Sequence, residues 1–315
     1  MFNKKVTCTI SYLLILLVLV SCKQATSVSA EVIDEEIIGI RNPDSAQVTV
    51  APVLQATQTP SFTSTPLFTP TVDSRIPPSE WKNWPIIPSP NNRSSEIYEK
   101  GLKLGNNPYA FSKIGDCQNV SSAFLGIFDR GGYSLLTDQK EWSEAIDHFR
   151  GYFNRDGEAF GQGLNVAAAL SPIHANPEKC QANESPLQCE LRVVKPSLAF
   201  ISFERWWPEV TPPEIYEKYL RIVLDTVIEN GTVPILITKA DNIEGNQIIN
   251  QIIVNLAFEY DIPLYNWWKA AQALPHRGMD PVRDDGFHIS EQSWYERSIF
   301  GLGTLYSIWK GVTNQ

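Results

Sequence analysis

The sequence predicts an α/β domain, a three-layer α/β/α sandwich built on a mainly parallel sheet, over residues 79–315. The first observation behind this is a set of short apolar runs, Ala110 to Ile114, Ser197 to Phe203, Val233 to Ile237 and Pro263 to Tyr265. They have strand length and no polar alternation, as strands covered on both faces do. The second is that amphipathic segments of helical spacing separate them. Strands that alternate with helices form parallel sheets, because a parallel neighbour needs a crossover. The third is size: 237 residues rich in aromatics suit one domain with a sizeable core.

The helices can be placed in order. Thr211-Pro212-Pro213-Glu214 reads as a capping box with proline at the first helical position. Behind it Tyr219, Ile222, Val223, Thr226 and Val227 recur on one face, and Asn230-Gly231 supplies the stop. A second helix carries Ile248, Ile249, Ile252, Ile253 and Leu256. A third opens near Ser290 and runs through Trp294, Ile299 and Leu302.

Residues 1–22 lie outside the fold as a signal peptide. Lys4 and Lys5 precede the unbroken apolar run Tyr12 to Val20, which is too short for a membrane span. The ending Leu19-Val20-Ser21-Cys22 resembles a bacterial lipobox, whose cysteine receives a diacylglycerol before cleavage. The resemblance implies lipidation of Cys22 and a chain anchored by lipid on the extracellular face of the cell membrane, with acyl chains supplying the affinity. Residues 23–78 read as a disordered linker. Thr57 to Thr71 holds six Thr, three Pro and two Ser, too little apolar surface to offset ordering entropy.

Acids outnumber bases, 35 to 26, and loss of Lys4 and Lys5 with the signal takes the charge from −9 to −11. Such a chain lacks the basic patch that nucleic-acid binding requires. No Cys-x-x-Cys or His-Glu-x-x-His metal spacing is present, and nothing calls for a cofactor. Export favours a disulfide between Cys180 and Cys189, which flank an eight-residue loop.

Chemistry is sought where strands end, since ligands of open α/β sheets bind at the carboxyl edge. Gly115-Asp116-Cys117 follows the first strand and precedes an expected helix. A thiol at a helix N-terminus has a lowered pKa and is a competent nucleophile. The plainer reading of Cys117 is a small core filler. Asp285-Gly286-Phe287-His288 comes just before the last helix. Its spacing lets the carboxylate hold one imidazole nitrogen while the other faces a nucleophile, and a surface Asx turn is the plainer reading.

Together these two loops resemble the SGNH (GDSL-type) hydrolase family, which begins with Gly-Asp-Ser and closes with Asp-x-x-His. The resemblance covers most of residues 79–315 and implies an SGNH/flavodoxin-like sheet. It also implies an esterase or carbohydrate deacetylase acting on a small-molecule or glycan ester through Cys117, His288 and Asp285. Two departures stand out. Cysteine replaces the family's serine, and the Gly-x-Asn-Asp block that supplies an oxyanion donor is not found. Gly163, in Gly161-Gln162-Gly163-Leu164-Asn165, is the candidate for the family's oxyanion glycine; where the asparagine belongs stands Glu204-Arg205-Trp206-Trp207. Asn165, Arg205 or a tryptophan N–H such as that of Trp206 is the expected substitute. Trp206, Trp207, Trp267 and Trp268 each follow a strand and are either an aromatic platform at the mouth or core. The alternative function is a catalytically eroded lipoprotein that binds glycan or cell-wall material.

Overall fold

A computed structural model describes residues 73–161, 163–204, 211–283 and 285–313. The signal peptide, Cys22, the linker up to residue 72, and Arg205, Trp206 and Trp207 lie outside the described residues. In chain order the elements are α1 (Asn92–Leu104), β1 (Asn107–Gly115), α2 (Ile127–Arg130), α3 (Ser143–His148), α4 (Pro186–Val194) and β2 (Pro196–Ser202). They continue with α5 (Pro213–Glu229), β3 (Val233–Ile237), α6 (Ile248–Glu259), β4 (Leu264–Tyr265), α7 (Trp267–Ala271) and α8 (Glu291–Val312).

The four strands form one parallel sheet in the order β1-β2-β3-β4. The expected α/β class is thus observed. Each crossover steps to the next strand, and right-handed crossovers in one direction put α4, α5 and α6 on one face. These helices pack in sequence, α4 on α5 and α5 on α6, while α8 packs with α1, α3 and α7. Every residue of β2 and β3 is buried, which accounts for runs without alternation. Phe111, Phe124, Phe149, Phe153 and Phe200 interlock edge to face in the core beside β1.

Two local expectations are corrected. Pro212 occupies the N-cap of α5 and no side chain caps it. The helix begins one residue later than the expected box, which leaves Thr211 outside reach of its N–H groups. The buried stripe of α5 is Tyr216, Leu220, Val223, Leu224 and Val227, and Ile222 is exposed. The stripe thus starts at Tyr216, whose hydroxyl donates to Phe203 O below it.

α8 approaches the core closely at Gly301, where a β-carbon would lie 2.8 Å from the buried Phe124 ring. Its N-terminus is fixed by Ser290, whose hydroxyl accepts from Ser293 N at 3.2 Å. The expected Cys180–Cys189 disulfide is present and ties the Cys180 loop to α4.

Candidate active site

β1 ends against β2 at Gly115, paired with Ser202. A β-carbon there would sit 1.8 Å from Ser202 O, and φ is +150°, so the close approach needs glycine. The chain then turns out of the sheet. Asp116 accepts from Gln118 N at 3.0 Å, and Cys117–Asn119 form one 3₁₀ turn. The expected helix behind the thiol is therefore corrected to a single tight turn, because residue 120 leaves helical geometry. So few aligned peptides make no macrodipole worth the name, and the groups that can act on the Cys117 thiol are its neighbours.

The neighbour is His288. Its loop is pinned by a short antiparallel contact, with Asp280 N donating to His288 O at 2.9 Å and Ser290 N to Gly278 O at 3.0 Å. Asp285 Oδ1 accepts from the backbone N–H of Phe287 at 3.0 Å and of His288 at 2.9 Å. Its Oδ2 lies 2.6 Å from His288 Nδ1. The same carboxylate thus forms the Asx turn and orients the imidazole. The His288 backbone bond, reinforced by its ring and by Phe287 N–H, pulls the Asp285 carboxyl down to about 2. An ionised Asp285 selects the Nδ1–H tautomer, so Nε2 presents a lone pair. That Nε2 is 3.8 Å from Cys117 Sγ, within reach of a thiol hydrogen bond.

Gln118, buried beside Cys117, donates from Nε2 to Phe287 O at 3.1 Å and locks the two loops together. Sequence reading missed it, although it stands next to Cys117.

Cys117 and His288 open into a cleft of about 500 Å³ lined also by Gly163, Phe160, Phe287 and Trp294. Gly163 is carried there by the segment after Phe153, which runs beside the end of β1. Gly115 N donates to Ala159 O at 3.0 Å and Gly161 N to Gly115 O at 3.3 Å. Its register is further set by Glu190 of α4, fully buried, which pairs with Arg155 and accepts from Glu158 N at 2.8 Å.

Asn165 is not brought to the cleft. Its Oδ1 accepts from Ala167 N and Ala168 N at 3.1 and 2.9 Å, capping a turn on a separate surface hollow. Glu204 is buried and bonded to Arg297 of α8 at 2.8 Å and to Ser202 Oγ at 2.9 Å. Arg297 therefore offsets its charge. Nothing in the sequence pattern of α8 marks that arginine as a partner for residue 204. Trp267 is fully buried core, and Trp268 packs edge to face on Trp81 with ring centroids 4.9 Å apart. Neither lines the cleft with Cys117. Among the described residues, the tryptophan that does is Trp294.

Among the described residues, the cysteine and carboxylate atoms close enough to hold a metal ion belong to Cys180, Glu184 and Cys189, whose two sulfurs are bonded to each other. No helix among the described residues is long and apolar enough to cross a membrane.

No family model matches the chain, and no curated protein matches it. Among solved structures it is similar to a protein described as lipolytic, of the G-D-S-L family, from Desulfitobacterium hafniense DCB-2. That similarity has 12% identity and a TM-score of 0.41, covering 62% of this chain and 98% of the other. It is also similar to the acetyl xylan esterase AlAXEase, at 13% identity and a TM-score of 0.38, covering 62% and 97%. Likeness at this level bears on neither reaction nor substrate, which rest on the residues themselves.

Proposed function

We propose that this chain is a hydrolase of ester or acyl bonds, an SGNH-type enzyme with a Cys-His-Asp site, held at the outer face of the cell membrane by lipid on Cys22. The observation that carries the reading is the continuous relay from Cys117 Sγ through His288 to Asp285, with distances of 3.8 and 2.6 Å. In the reaction the thiol proton passes to His288 Nε2 as sulfur attacks the carbonyl carbon. The imidazolium then protonates the leaving alcohol, which gives a thioester on Cys117. Water, deprotonated by His288, attacks that thioester and releases the acid and the thiol. Asp285 stabilises the imidazolium in both halves. The Gly163 N–H, in the same cleft, is the proposed oxyanion donor, and no asparagine side chain joins it among the described residues. Losing one donor costs on the order of 10²–10³ in rate, so a slow enzyme is expected.

The test is hydrolysis of p-nitrophenyl acetate, acetylated xylan and an acetylated peptidoglycan fragment. Cys117→Ala should abolish turnover, while Cys117→Ser should keep or raise it. If wild type and Cys117→Ser are both inactive on all three while glycan binding is intact, the chain is the binding lipoprotein instead. Anchoring is tested separately, by mass spectrometry of the membrane fraction. An acylated N-terminal Cys22 is expected, and an unmodified soluble terminus would remove that part of the proposal.

A further inference from the structure

The cleft around Cys117 is lined by apolar and neutral groups, by His288, and by one permanently charged side chain, Arg283. No carboxylate lines it among the described residues, in a chain whose formal charge is −9. Arg283 is about half exposed, and among the described residues it forms one ion pair, with Asp280, with Nε to Oδ2 at 3.7 Å. That is too long for a hydrogen bond. Asp280 is itself engaged, with Oδ1 accepting from Val282 N at 2.8 Å. The guanidinium therefore donates no hydrogen bond to any described residue, although five N–H donors in a planar fork suit bidentate capture of an anion.

We propose that Arg283 selects substrates that bear a carboxylate, so that the preferred ester or acyl compound is a monoanion. This rests on the reading of the Cys117 cleft as the substrate site. Asp280 offsets part of the guanidinium charge but takes none of its hydrogen bonds, so one flat fork is left to match one flat carboxylate. A phosphate dianion would call for further cationic donors, and none line the cleft among the described residues. Electrostatic selection of this kind acts on encounter and orientation, and it weakens with salt.

Two measurements test it. In the first, Cys117 is alkylated by iodoacetamide, which is neutral, and by iodoacetate, which carries the carboxylate. The ratio of the iodoacetate rate to the iodoacetamide rate should fall about three- to tenfold in Arg283→Gln, the size expected of one charge acting through a hydrated cleft. Arg150→Gln removes the same charge from an exposed surface pair outside the cleft and should leave the ratio alone. In the second, calorimetry compares 4-acetamidobenzoate with its uncharged methyl ester, and wild type should bind the anion more tightly by a margin that Arg283→Gln removes. The second measurement needs no reactive thiol. An unreactive Cys117 would count against the proposed nucleophile, while the calorimetry still decides Arg283. Equal affinity for the two compounds, an anion preference that survives Arg283→Gln, or an equal drop in Arg150→Gln would each overturn the assignment.

Discussion

Gln118 holds Phe287 by a 3.1 Å hydrogen bond from its side-chain amide to the backbone carbonyl. The residue after Cys117 thus fixes the residue before His288, across 169 positions of sequence. The thiol–imidazole distance depends on two loops from opposite ends of the domain, and this bond is a direct polar link between them. Gln118→Leu keeps the bulk and removes the donor. We expect kcat on p-nitrophenyl acetate to fall about tenfold to a hundredfold with little change in KM, since small misplacements of reacting groups cost that much. A parallel thermal melt separates this from unfolding. An unchanged kcat in a folded variant would show that the link does not matter.

Asp285 keeps its charge well into acid. Its carboxyl is lowered from 3.8 to about 2 in the folded protein, so whatever its ionised form contributes is fully present above about pH 4 and is lost as pH falls towards 2. Carbon-13 NMR of the side-chain carboxyls should find Asp285 still ionised at pH 3.5, where ordinary exposed acids are largely protonated. Asp285→Asn should lower kcat by about 10²–10⁴ because the amide no longer enforces the Nδ1–H tautomer.

Glu204 and Arg297 form a buried ion pair, each side chain 2% exposed or less. Breaking such a pair from one side leaves an uncompensated charge, which costs about 3–5 kcal/mol, whereas replacing both partners by apolar residues is often close to neutral. Glu204→Leu and Arg297→Met should therefore each lower the denaturation midpoint sharply, and the double variant should recover much of the loss. Additive losses in the double variant would mean the two side chains are not coupled.

Lys113 sits inside β1 and, among the described residues, has only the carbonyls of Phe153 and Phe124 as acceptors, at 3.0 and 3.3 Å. Burial pushes its pKa from 10.5 down to about 7. Between those values the unfolded chain binds a proton that the native protein does not, so this group makes stability rise with pH from about 7 to about 10. Its penalty is fully present below the folded value. Urea melts should show wild type losing stability relative to Lys113→Met as pH falls from 9 to 6. A pH-independent difference between the two would contradict the assignment.

The strands and the chemistry-bearing loops were legible because their signals are local. β3 is Val233–Ile237 as its apolar run predicts, and Asp285 reaches His288 because three residues of turn fix that distance. Long-range partners left no such trace. Arg297 lies 93 residues from Glu204, and only the fold puts them side by side. Asn165 was misplaced for the converse reason, since a side-chain amide near Gly163 in sequence is free to turn back and cap its own loop. For Trp267 and Trp268 the plainer of the two readings holds, because the first of the pair faces the core and the second packs on Trp81.

Gly301 has no chemistry, yet a side chain there would meet the Phe124 ring, on the loop that follows Cys117, at 2.8 Å. The helix that bears it starts just after His288. On the proposed reading, a collection of inactivating mutations would therefore gather at this glycine as well as at Cys117, His288 and Asp285. A genetic screen that ranks its hits by nearness to the sulfur would misfile a lesion that acts by pushing two halves of the site apart.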